Sequence, residues 1–303
     1  MNEWLITPFS FPFMQDALIA AIATAIVCAL LSCYLVLKGW AMMGDAISHA
    51  VLPGVVLAAV LGIPLAIGAV LSGLSCALLT GFVKNHSRIK EDTAMGIMFT
   101  GLFSLGLILF SVIDTDQHLQ HILFGNLMGI PAKTLLTVIL TAVVTVLIIA
   151  LKGKDIMCWC FDNVHAKSIG LNTSLLHYGF LVILASAIVA AMQAVGVVLV
   201  VAMLVAPGLT AQLLCRRFAS MQFIAVSSAI IAVTLGIVLS FHLDAATGPT
   251  IVLVQTALFC LALGYQRLSL SGILIKLLEK KSLTHGQARN QQSKQSKSEY
   301  KLG

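Results

Sequence analysis

Residues 174–214 read "SLLHYGFLVILASAIVAAMQAVGVVLVVAMLVAPGLTAQLL" and contain no Asp, Glu, Lys or Arg. A helix crosses the hydrocarbon core of a bilayer with about 20 apolar residues. This run is therefore long enough for two crossings, 174–193 and 195–214, with little polar sequence between them. Working outward, further apolar runs occupy 16–37, 46–63, 65–83, 94–113, 134–151, 221–241 and 250–266. The second and last of the set are short for a span. Eight or nine crossings are expected. The first run exceeds a signal-peptide core and is read as a retained span. Composition agrees: the 303 residues are 59% hydrophobic and 10% charged, with a mean hydropathy of +1.01. A soluble domain carries about 25% charged residues. The chain reads as an all-α polytopic membrane protein.

Basic residues orient it. Lys38, then Lys84, Arg88 and Lys90, then Lys152, Lys154 and Lys167, then Arg216 and Arg217 fall in alternate connections. The opposite connections hold Lys133 with Asp114, Asp116, His118, His121, His242 and Asp244. By the positive-inside rule the first set is cytoplasmic, and nine spans put the N-terminus outside. Residues 1–266 are read as the transmembrane domain. Residues 267–303 form a polar, basic cytoplasmic tail that accounts for the net charge of +6. Its composition suits partial disorder beside anionic lipid rather than nucleic-acid binding. None of the seven cysteines needs a disulfide, since each falls in a span or on the reducing side. Small residues recur every four positions at Gly68, Ser72, Cys76 and Thr80, and again at Gly96, Thr100 and Ser104. Both stripes imply close helix packing.

The exception to this apolar economy is "GDAISHAVLPG", residues 44–54. An ionisable group at the bilayer centre costs about 2.5–3.5 kcal/mol even on a lenient scale. Asp45 and His49 are four apart and share one helical face. Pro53 has no N–H for the carbonyl of residue 49, so a carboxylate, an imidazole and a free carbonyl are expected together. Gly44 and Gly54 are read as allowing a bent or unwound backbone there. The competing reading has Asp45 capping the helix and His49 bonded to a neighbouring span. One oxygen and one nitrogen are too few for a divalent cation. Two copies facing each other across an axis supply two of each, a set that suits manganese, ferrous iron or zinc. Enzyme readings lack their parts. There is no HExxH stretch, no serine elbow and no phosphate-binding loop, so any ATPase must be another chain.

The segments "GDAISHAVLPG" (44–54), "HILFGN" (121–126), "FDNVHAKSIGL" (161–171), "VGVVLVVAMLVAPGLTA" (195–211) and "LDAATGPTIVL" (243–253) occur in that order. Together they resemble the membrane permease of bacterial ABC importers for manganese, iron and zinc, over roughly residues 10–266. The resemblance implies a fold like the vitamin B12 importer, in a homodimer or a heterodimer of related permeases in the bacterial inner membrane. It also implies two cytoplasmic ATPase subunits below and a metal-binding solute-binding protein outside. No cofactor is bound permanently; the metal is cargo. Asp45 and His49 match the family's metal-pathway residues, and Pro53 is more typical of manganese and iron members than of zinc ones. The segment with Phe161, Asp162, Ala166, Gly170 and Leu171 is expected to couple to the ATPase, with the small Ala166 and Gly170 presenting a smooth face. Cys158 and Trp159 are expected to anchor it at the lipid interface. Asp114, Asp116, His118 and His121 form a possible outer vestibule. The runner-up is a proton-coupled secondary divalent-cation transporter.

Overall fold

The computed structural model describes residues 12–112 and 129–268. These contain nine helices long and apolar enough to cross a membrane, and no strands. In chain order they are α1 (Pro12–Lys38), α2 (Met43–Ala50) with α3 (Leu52–Leu61) as one crossing, α4 (Leu65–His86) and α5 (Glu91–Val112). Then come α6 (Ala132–Phe161), the short α7 (Asn163–Ser168), α8 (Thr173–Val195), α9 (Val197–Leu214), α10 (Phe218–Leu243) and α11 (Thr247–Leu268). The described residues as far as Phe259 form one compact unit. Asp114, Asp116, His118, His121 and the tail from residue 269 lie outside the described residues.

Three element limits differ from the apolar runs. The 46–63 run is one crossing made of two helices, α2 and α3, meeting at Val51. The 134–151 run continues as helix to Phe161, beyond the apolar stretch and past Lys152 and Lys154. The long opening run divides at Gly196 alone, whose φ of +83° is a conformation that glycine adopts without a Cβ penalty.

Helix α1 is the hub. It packs on α6, α8, α9 and α10. Tyr34, 1% exposed, donates its hydroxyl to the Gly153 carbonyl (3.4 Å) and accepts from Gln222 Nε2 (3.2 Å). It thereby ties α1 to α6 and α10. Against α9 the joint is tighter. Pro207 lies inside that helix, and the N–H of Gly208 donates to Ser32 Oγ (3.0 Å), which donates to the Val205 carbonyl (3.3 Å). A Cβ at Gly208 would run into Ser32.

The α4 stripe packs as its spacing predicts. A Cβ on Gly68 would collide with the Gly54 carbonyl, and one on Gly54 with that of Gly68. Ser72 donates to the Ala50 carbonyl (2.6 Å), and Cys76 and Thr80 are buried. The α5 stripe does not. Gly96 has open space at its Cβ position, and Thr100 and Ser104 are exposed. Helix α5 instead approaches its neighbours through Gly106, where a Cβ would sit 2.8 Å from the Pro53 nitrogen.

Ser32→Ala removes the hydroxyl that joins the Gly208 N–H to the Val205 carbonyl, a loss of about 0.5–1.5 kcal/mol per hydrogen bond. The purified protein should melt at a lower temperature. Gly208→Ala, which forces α1 and α9 apart, should lower it further.

Candidate metal site and coupling segment

The sequence of α2 places Asp45 in its first turn and His49 in its last. The helix is held by α4, α5, α8 and α9. A Cβ on Gly44 would lie 2.8 Å from Leu204 Cδ1, near the midpoint of α9, so α2 starts level with the middle of a neighbouring crossing. Both glycines of the stretch serve close approach: Gly44 is helical against Leu204, and Gly54 is helical against Gly68. Neither unwinds the backbone.

His49 Nε2 lies 3.3 Å from Asp45 Oδ1. Asp45 does not cap the helix: Met42 occupies that position with no side-chain bond. The Phe99 ring stacks on His49 (centroids 6.0 Å apart) and Phe103 meets it edge-on at 5.2 Å. Two walls of the imidazole are thus apolar and fixed by α5. The side chains of His49 and Asp45 remain 31% and 27% exposed, so the pair opens outward from this chain.

The expected free carbonyl is absent. The N–H groups closing the end of α2 donate to the Ile47 and His49 carbonyls, and Ser72 serves Ala50. Pro53 does break the ladder, but helix-end geometry and a serine from the next crossing absorb the loss. Among the described residues no three His, Cys, Asp or Glu side chains gather. One carboxylate and one imidazole stand together, with a dication's other donors still to be supplied.

On the cytoplasmic side, Asp162 caps α7. Its Oδ1 accepts from Val164 N (2.8 Å) and His165 N (3.1 Å), and these N–H groups hold its carboxyl below the ordinary aspartate range. The expected smooth face is not there. Ala166 is fully buried, with its carbonyl accepting from Leu171 N, and Gly170 lies past the helix end at φ +85°. Phe161 (81% exposed), Val164 (76%) and Ile169 (56%) project instead. Trp159 is 2% exposed and packs inside the protein rather than at the lipid interface. Lys38 Nζ sits 4.3 Å from the centre of its ring and donates to its carbonyl (3.3 Å), and Trp40 meets it edge-on at 5.9 Å. The end of α6, just before α7, is therefore clamped to the connection that leads into α2.

Residues 10–266 match the model of the ABC 3 transport family. The chelated iron transport system membrane protein YfeD of Yersinia pestis is 58% identical over 261 residues, 86% of this chain and 88% of that protein. The manganese transport system membrane protein MntB of Synechocystis is 46% identical over 261 residues, 86% and 85% of the two chains. Among solved structures, PsaBC from Streptococcus pneumoniae in complex with Fab matches with a TM-score of 0.78 and 37% identity, covering 86% of this chain and 94% of that one.

Gly106→Leu would drive α5 off Pro53 and carry Phe99 and Phe103 away from His49. The expected result is a lower melting temperature together with weaker protection of the His49 imidazole from chemical modification.

Proposed function

Because this chain belongs to the ABC 3 transport family, as a membrane permease subunit of a bacterial metal ABC importer, we propose that its cargo is manganese or ferrous iron. Zinc is the next candidate. The relatives named for manganese and chelated iron transport support this choice. The observation that carries the reading is the Asp45–His49 pair, 3.3 Å apart and open on one side. Both metals accept mixed oxygen and nitrogen donors. A second permease copy, or a related permease, facing this one would bring the donor count to four. A small donor set also suits passage, because an ion must leave as readily as it enters. The flanking Gly44, Pro53 and Gly54 shape the site by letting α4, α5 and α9 approach it.

Energy comes from a separate ATPase chain, and cargo from a solute-binding protein on the outer face. We place the ATPase contact on the outward side of the 161–171 segment. Asp162 fixes the start of α7, Ala166 anchors its inner face, and Gly170 with Leu171 turn the chain into α8. Phe161 and Val164 offer the apolar grip.

Asp45→Asn keeps size but removes the charge that attracts a dication, and His49→Ala removes the nitrogen donor. Each should abolish uptake of radioactive manganese at unchanged membrane levels; parental uptake by both would overturn the pathway assignment.

Val164→Asp alters an exposed side chain, so folding should be spared. Losing an apolar anchor at an interface centre costs about 2 kcal/mol or more. Affinity for the ATPase should therefore fall about thirtyfold or more, and co-purification with it. Undiminished association would move the contact to another cytoplasmic connection.

A further inference from the structure

Two cavities open on the face formed by α1, α6 and α10, away from α5 and the Asp45–His49 pair. The first, about 510 Å³, lies at membrane depth and is lined by Leu30, Val146 and Ala150, with Lys154 at its cytoplasmic end. The second, about 480 Å³, lies at the cytoplasmic edge beside the proposed ATPase contact, with Phe161 part of its apolar floor and Arg216, Arg217, Gln212 and His165 around it. Met157 and Phe218 wall both. An apolar slot thus leads to a basic pocket at the level where a bilayer changes from acyl chain to headgroup.

The chain builds the pocket locally. Helix α9 ends at Leu214, Cys215 is extended, and α10 begins at Phe218, so Arg216 and Arg217 are both exposed in a short turn. Neither guanidinium has an ion-pair or hydrogen-bond partner among the described residues. Asp162 also lines the pocket, but its Oδ1 is engaged by two backbone N–H groups. The balance is cationic. Guanidinium groups suit phosphate oxygens, which they bind in a planar fork. Basic pockets between helices on the cytoplasmic side are places where anionic headgroups settle.

We propose that this face binds an anionic phospholipid, with its phosphate against Arg216 and Arg217 and an acyl chain in the slot over Met157 and Phe218. The lipid would brace the start of α7 against the α9–α10 turn. An acidic segment of a partner protein fits the arginines but not the slot, which opens sideways among lipid-facing side chains.

The test is native mass spectrometry of the full-length protein, relipidated from detergent with equal phosphatidylglycerol and phosphatidylethanolamine. The parent should retain phosphatidylglycerol over phosphatidylethanolamine by about tenfold or more, since each basic residue near an anionic surface contributes about a factor of five. R216Q with R217Q should bring that ratio close to one. Ala150→Phe narrows the slot without touching charge and should reduce retention of both lipids. R216K with R217K keeps the charge and most of the preference, so the proposal stays testable if the glutamine pair does not fold. Equal retention by the parent overturns the proposal. So does a preference that survives the glutamine pair, or retention untouched by Ala150→Phe. If the glutamine pair keeps its lipid and loses the ATPase on co-purification, the arginines serve a protein and the lipid site is excluded.

Discussion

In hydrocarbon a backbone N–H or carbonyl without a partner costs several kcal/mol, and no water is available to relieve it. A helix can therefore be interrupted inside the membrane only where another helix supplies the missing group. This protein interrupts its second crossing at 50–53 and carries a proline inside α9 at 207. At 50–53 the Ala50 carbonyl is served by Ser72, and at 207–208 the Gly208 N–H is served by Ser32. Each serine reaches its target because a glycine lets the backbones come within side-chain-free distance: Gly54 on Gly68 in one case, Gly208 on Ser32 in the other. The bent second crossing, the placement of Asp45 and the α1–α9 joint all depend on these two splices.

Charge in the membrane is handled by the same economy. Asp45 and His49 face each other, and aromatic rings from α5 flank the imidazole. Neighbouring spans fix the geometry while leaving one side uncovered. A group this expensive to insert is tolerated because its partner lies one turn away. Rigidity comes from the walls, while one side of the pair stays uncovered.

The crossings were legible because length and apolarity alone decide whether a helix fits a bilayer. The Asp45–His49 pair was legible because i, i+4 spacing is a property of one helix. What failed to appear involved two. Nothing local says that Phe99 and Phe103 meet His49, or that Ser72 caps Ala50; those partners come from other crossings, and sequence period does not say which faces touch. For the same reason Gly44 and Gly54 read as flexible when they are points of contact. Ala166 and Gly170 read as a face when one is buried and the other ends the helix. Trp159 read as an interfacial anchor because tryptophan favours that zone. Its real neighbours, Lys38 and Trp40, lie at the far end of a different span.

The single-residue joint at Gly196 also ties two crossings to one another. Helices α8 and α9 have mean hydropathies of 2.2 and 2.3 in their most apolar windows, and one residue separates them. One residue spans at most about 3.6 Å of chain, so no slack lies between the two helix ends. A shift of α8 at this end is passed directly to α9, and with it to Leu204, the residue against which Gly44 packs.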